Sequence, residues 1–182
     1  MRDDKSQLPD WHPPRAVRSV ICYLSFVILS VPIGCHIRMV ETTLVLLKPD
    51  CIAQKHCGEV ISRFERAGLD IVGCKMLLLT DEVLAEHYAH VADRPFFPEL
   101  RSFMQQSPVI ALALSGEDAV KRVRELMGPT DSRKAAKGTI RGDLGKDAMM
   151  NLIHGSDSPE NAAIELKRFF SDSELFEEAL KR

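Results

Sequence analysis

Hydrophobic positions along the chain fall into two alternating rhythms. Thr42–Leu47 is a β-branched and aliphatic run suited to a buried strand, and Lys48-Pro49-Asp50 stops it. In Gly58–Ala67, the residues Val60, Ile61, Phe64 and Ala67 recur at i, i+1, i+4 and i+7, which predicts an amphipathic helix closed by Gly68. Leu69–Leu79 is apolar enough for a second strand. Thr80 can cap a helix over 81–91, with Val83, Leu84, His87, Tyr88 and Val91 on one stripe. Arg94-Pro95-Phe96-Phe97-Pro98 interrupts regular structure before a short helix through Gln106. Pro108–Ser115 predicts a third strand, and Glu117–Met127 a helix ended by Gly128. From Pro129 to Asp147 the chain is polar, carries Gly138, Gly142 and Gly145, and is expected to be mainly loop. Asn151–His154 fits a short fourth strand. Ser158-Pro159-Glu160 starts a helix to about Phe170, with a cap, a proline in the first turn and a carboxylate at the positive end. Another short helix follows.

The order β-α-β-α-α-β-α-loop-β-α places helices between strands in the βαββαβ manner. The expected fold class is α+β: a ferredoxin-like sandwich with a four-stranded antiparallel sheet and added helices. Such a fold does not by itself specify a function.

The first 38 residues break the pattern. Residues 1–14 are polar with Pro9, Pro13 and Pro14, and then Arg15-Ala-Val-Arg18 precedes an apolar stretch from about Ser19 to Gly34. A basic flank followed by such a stretch resembles a signal-peptide core or a short membrane anchor, although a full span needs roughly 20 apolar residues. Met39 begins Met-Val-Glu-Thr-Thr-Leu, which also looks like a natural start, so the upstream residues can equally be a misassigned start. The expected organisation is an N-terminal extension over 1–38 and one domain over 39–182.

Composition narrows the classes. Hydrophobic content of 45% and charged content of 27% suit a globular domain with a real core. A net charge of -2 argues against a dedicated nucleic-acid binder. The five cysteines, Cys22, Cys35, Cys51, Cys57 and Cys74, are odd in number and lack a C-x-x-C pair, which favours reduced thiols and a cytoplasmic enzyme. His87 and His90, three apart, are expected on a solvated helix face rather than at a metal.

Neither G-x-x-x-x-G-K-[ST] nor G-x-G-x-x-G occurs, so phosphate, if handled, must be held by discrete cations and loop amides. Suitable groups cluster before residue 154. Arg124 lies near a helix end, Thr130 follows Gly128-Pro129, and Arg141 sits in Gly138-Thr139-Ile140-Arg141-Gly142-Asp143. Arginine offers forked donors matched to phosphate oxygens. His154 can serve as a nucleophile near neutral pH, with Glu165 in the following helix folding back toward it. Spacing alone leaves open a half-buried structural histidine at a strand end.

Together, Lys48-Pro49-Asp50, Arg94-Pro95-Phe96-Phe97, Gly138-Thr139-Ile140-Arg141-Gly142-Asp143 and Asn151-Leu152-Ile153-His154-Gly155-Ser156-Asp157-Ser158 resemble nucleoside diphosphate kinases of the bacterial type with a short C-terminus. The likeness covers about residues 41–177. It implies a ping-pong reaction in which ATP with Mg2+ phosphorylates a histidine and an acceptor nucleoside diphosphate removes the phosphate. By the same resemblance, His154 is the phosphorylated nucleophile and Glu165 the partner of its other ring nitrogen. Lys48, Tyr88 and Arg141 surround the transferred phosphate, while Arg124 and Thr130 hold the inner phosphates. Asn151 with Lys48 reads the sugar 3′-hydroxyl, and Phe96 is the aromatic on which the base stacks. Mg2+ would be bound mainly through phosphates and water, with Asp157 nearby. The resemblance also implies a homotetramer or homohexamer. Asp131-Ser132 and Lys137 depart from the usual loop residues, and Ala148 is smaller than the apolar residue expected beside the base. The competing expectation is a non-catalytic ferredoxin-like module that binds nucleotide as a regulator or scaffold.

Overall fold

A computed structural model of the chain describes residues 40–176. The expectations for residues 1–38, including the apolar segment, lie outside the described residues. Four strands form one sheet: β1 (Val40–Leu47), β2 (Asp70–Leu77), β3 (Val109–Glu117) and β4 (Ile153–Gly155), in the order β2-β3-β1-β4. Every pairing is antiparallel, so the α+β, ferredoxin-like expectation holds. Seven helices connect and cover the strands: α1 (Pro49–Ala53), α2 (Cys57–Arg66), α3 (Asp81–His87), α4 (Phe97–Gln105), α5 (Ala119–Met127), α6 (Ile140–Leu144) and α7 (Pro159–Phe169).

The unbroken apolar run of β1 has a structural reason. Leu44 and Leu46 project into one core with Leu84, Tyr88, Leu100, Met104, Leu166 and Phe169, drawn from α3, α4 and α7. Val45 and Leu47 project into a second core with Val60, Phe64, Val123 and Met127, from α2 and α5. All four β1 residues are fully buried. A strand covered on both faces cannot show polar alternation, and each such side chain contributes about 1.5–3 kcal/mol. β2 lies at the sheet edge, and its apolar composition overstates its burial: Met76 is 58% exposed, and Leu78 just past its end 64%.

Three elements differ from the sequence expectations. Lys48-Pro49-Asp50 does stop β1, at Leu47, but Pro49 also starts the unexpected helix α1, because a proline at the first helical position lacks only a hydrogen bond that would go unmade there. The 81–91 helix stops at His87 and continues as a 3-10 turn over Ala89–Val91. The polar segment after Gly128 is more ordered than a loop: it holds a 3-10 turn at Ser132–Lys134 and α6, capped by Thr139 accepting from Gly142 N at 3.1 Å. Five residues are too few to display a helical period.

Gly142 is required for that compact segment. A Cβ there would lie 2.0 Å from the Ala136 carbonyl oxygen, a backbone atom that cannot swing away. Gly142→Ala is therefore expected to cost about 3 kcal/mol or more, read as a lower urea midpoint, and to disturb Arg141 beside it. Unchanged stability would show that the segment rearranges freely.

Candidate active site

Register on the sheet decides which face carries His154. It pairs with Leu46 across β1 and β4, so both side chains project to the same face, where α3 and α7 pack. That places His87 of α3, Tyr88 just past its end, and Glu165 of α7 beside the histidine.

Lys48 stands at the junction of β1 and α1. Its backbone N–H donates to the Leu152 carbonyl at 2.8 Å, and Asp50 Oδ2 accepts from Leu152 N at 2.9 Å. This reciprocal clip holds Leu152 at φ 71, a left-handed conformation that non-glycine residues seldom adopt. The chain thus enters β4 at a set angle, two residues before His154. Lys48 Nζ donates to the Met149 carbonyl and to Asn151 Oδ1, the latter at 2.8 Å. Asn151 Nδ2 in turn donates to the carbonyls of Thr130 at 2.9 Å and Ala148 at 2.8 Å. Burial lowers the Lys48 pKa to about 8; Asp50 opposes this shift and Arg141 adds to it.

His154 Nε2 lies 3.2 Å from Glu165 Oε1, and the Ser156 hydroxyl donates to Glu165 Oε2. Burial acts to raise the Glu165 pKa, but the hydrogen bond and charge of His154, together with the Ser156 bond, hold it at about 2. An ionised carboxylate can only accept, so Nε2 carries the proton and Nδ1 keeps its lone pair. Among the described residues no hydrogen bond to His154 Nδ1 is found.

Arg141 is buried, donating from one terminal nitrogen to the Gly128 carbonyl at 3.0 Å and from the other to the Ile153 carbonyl at 2.7 Å. Its buried Nε has no partner among the described residues. Burial, then the charge of Arg124, lowers its pKa to about 10, so it remains a cation at neutral pH. Tyr88 is pushed up by burial and then by Glu165, which keeps its hydroxyl a neutral donor; its ring centre is 6.2 Å from that of His154.

All the residues singled out from the sequence line one cleft of about 910 Å³: Lys48, Tyr88, Phe96, Arg124, Thr130, Arg141, Asn151, His154, Asp157 and Glu165. Phe96, 46% exposed, lines the cleft. Arg124, Thr130 and Asp157 are also exposed.

Other participants escape a reading of the sequence. Ser156 sits inside the conspicuous His-Gly-Ser-Asp run, yet its role needs Glu165 in place. His87 is 5% exposed and packs edge-on against His154 with ring centres 4.4 Å apart, so it does not lie on a solvated face, whereas His90 is exposed. Burial, then the charge of His154, lowers the His87 pKa to about 3 and keeps it neutral. Arg168 Nη1 donates to its Nδ1 at 3.3 Å while Arg168 Nη2 pairs with Glu86 at 2.9 Å. Ligand atoms of His87, His154 and Glu165 lie within 4.8 Å of one another, near enough for a cation, but the Arg168 guanidinium on His87 opposes a second positive charge.

The family model for nucleoside diphosphate kinase matches residues 41–175. A protein of Parabacteroides distasonis described as a nucleoside diphosphate kinase is 50% identical over 141 residues, covering 78% of this chain and 92% of the relative. One of Pyrococcus horikoshii with the same description is 46% identical over 140 residues, covering 75% and 89%. Among solved structures, the Aquifex aeolicus nucleoside diphosphate kinase matches with a TM-score of 0.72 at 46% identity, covering 75% of this chain and 99% of its own. A halophilic nucleoside diphosphate kinase from Halobacterium salinarum in complex with CDP matches at 0.73 and 45% identity, covering 75% and 91%.

Proposed function

Because this chain belongs to the nucleoside diphosphate kinase family, we propose that it transfers the γ-phosphate of ATP to nucleoside diphosphates by a ping-pong route through a phosphohistidine at His154. The chain is a nucleotide-binding kinase. The observation that carries the route is the division of labour on one imidazole: ionised Glu165 fixes Nε2–H, and Nδ1 keeps its lone pair in a cleft lined with cations.

Nδ1 attacks the γ-phosphorus in line as the β–γ bridging oxygen leaves with the diphosphate. Positive charge developing on the ring is met by Glu165, itself held by Ser156. Arg141 and Lys48 stabilise the equatorial oxygens, with Tyr88 donating beside them, and Arg124 and Thr130 bind the inner phosphates. Asn151, held by Lys48, contacts the sugar 3′-hydroxyl. Phe96 stacks on the base, and because every base has a π-face the acceptor range is broad. The family generally needs a divalent cation. Mg2+ fits here, since Asp157, an exposed carboxylate, lines the cleft, and Mg2+ is usually held by one or two carboxylates, phosphates and water. When bound, Mg2+ neutralises phosphate charge.

The catalytic domain spans 39–182, with 1–38 as an N-terminal extension. Free thiols at Cys51, Cys57 and Cys74 support a cytoplasmic location, and no helix among the described residues is long and apolar enough to cross a membrane. The exposed edge of β2 with Met76 and Leu78 supports a homo-oligomer, a tetramer or a hexamer.

Incubation with γ-labelled ATP is expected to give an acid-labile, alkali-stable phosphoenzyme that any nucleoside diphosphate discharges. Binding without labelling would instead return the protein to a non-catalytic module. The pH profile offers a second check. Lys48 loses its proton near pH 8 in the free protein, so kcat/KM is expected to fall above that pH. Lys48→Arg should move this limb upward; an unmoved limb would assign it to another group. Stability runs the other way, because Lys48 in the unfolded chain stays protonated to about 10.5, so the fold gains stability as pH rises between about 8 and 10.5.

A further inference from the structure

Away from the cleft, two cysteines face each other behind Lys48. Cys51 Sγ lies 4.0 Å from Cys57 Sγ, in non-bonded contact. Cys51 is fully buried on α1, and Cys57, at the start of α2, is half-buried. Between them Lys55, at φ 61, reverses the chain, and His56 N donates to the Cys51 carbonyl at 3.0 Å, so the backbones are already drawn together. A disulfide needs its sulfurs at about 2.05 Å, so closure requires a shift of roughly 2 Å.

We propose that Cys51 and Cys57 form an oxidative modification site, closing into a reversible disulfide that slows phosphate transfer by displacing α1 and Lys48. The oxidant is hydrogen peroxide. The Cys57 thiolate attacks one peroxide oxygen, the O–O bond breaks, and the other oxygen leaves as water after taking a proton, giving a sulfenic acid at Cys57. Cys51 then attacks that sulfur, and its proton accompanies the departing hydroxide as a second water. The two thiols lose two electrons and the peroxide gains them. Accessibility sets the order: Cys57 meets the oxidant, and Cys51 resolves it. Burial and the neighbouring Cys57 push the Cys51 thiol up, so Cys51 is not the first of the two to be oxidised.

The shift reaches the cleft through short links. The Lys48 carbonyl accepts from Cys51 N at 3.0 Å and Ile52 N at 3.3 Å, so α1 cannot move without Lys48. Asp50, adjacent to Cys51, holds Leu152 and with it the entry to β4. Misplacing positioned groups by about 1 Å can cost as much as a hundredfold in rate.

The rate effect rests on the phosphohistidine reading, whereas formation of the disulfide does not. The test treats the full-length reduced protein with hydrogen peroxide, then maps peptides by mass spectrometry after tryptic cleavage without reductant. Cleavage at Lys55 separates the cysteines, so a linked pair two hydrogens lighter than its reduced parts identifies the bond. Expected results are that linked pair, a fall of roughly tenfold or more in the rate of histidine labelling, and recovery of both with dithiothreitol. Cys57→Ser should label normally and resist peroxide, and Cys51→Ala should trap the Cys57 sulfenic acid for a dimedone probe. Separate thiols after treatment, a linked pair with unchanged labelling, or equal peroxide loss in Cys57→Ser would each overturn the proposal.

Discussion

His154→Asn is expected to abolish the phosphoenzyme and to lower kcat by about four orders of magnitude or more, leaving the fold intact. Asparagine is close in size and keeps an amide N–H to offer Glu165, so the Ser156–Glu165 pair remains satisfied. The His154 side chain is 23% exposed, so the change in stability should stay within about 1 kcal/mol. A coupled turnover assay, γ-labelled ATP and a thermal melt read the three quantities separately. Label persisting in His154→Asn would identify a different acceptor. The structure names the first to examine, since His87 is neutral and its ring lies 4.4 Å away. His87→Asn is the matching control, and it should still form the phosphoenzyme.

Arg141→Ala carries the second large effect, and it acts on two quantities at once. The guanidinium bridges the Gly128 and Ile153 carbonyls, so its loss orphans one buried acceptor at about 1–3 kcal/mol and one partly buried acceptor at less. It also removes a cation from the transferred phosphate, at about 10²–10³-fold in kcat/KM. Arg141→Lys separates these contributions. Lysine restores the charge but not the fork, so it should recover part of the rate and one carbonyl contact at most. Because Ile153 immediately precedes His154, a fraction of the rate loss belongs to a displaced nucleophile rather than to lost charge. Steady-state kinetics with a urea titration for each variant assigns the shares. Activity of Arg141→Ala within about threefold of the parent would remove this residue from the phosphate site.

Periodic burial made most elements legible. Val60, Ile61, Phe64 and Ala67 marked α2, and the unbroken apolar runs marked the central strands β1 and β3. What stayed hidden was short or context-dependent. Pro49 looked like a stop because a strand ends before it, though it equally opens α1. The five residues of α6 are too few for a period, and its order comes from the Thr139 cap and the packing of Gly142 against Ala136. At the site, the residues picked out by residue type and a family resemblance all line the cleft, because phosphate chemistry draws on few side chains. The supporting contacts were not legible. Ser156 bonds Glu165, His87 packs on His154 and Arg168 bonds His87, contacts that depend on which face the register of β4 against β1 gives His154. Asp50 likewise gains its purpose from Leu152, an amide far along the chain.

That separation bears on when the protein becomes competent during synthesis. The clip between Lys48, Asp50 and Leu152 joins positions 102 residues apart. Glu165, the hydrogen-bond partner of His154, comes later still. Contacts of such long range form late, because loop-closure entropy must be overcome before they contribute. A nascent chain still holding residues beyond 150 in the ribosomal tunnel therefore has its strands β1 to β3 but no phosphate acceptor. Histidine labelling thus reports the completed fold, and an incomplete translation product would draw no nucleotide from the pool.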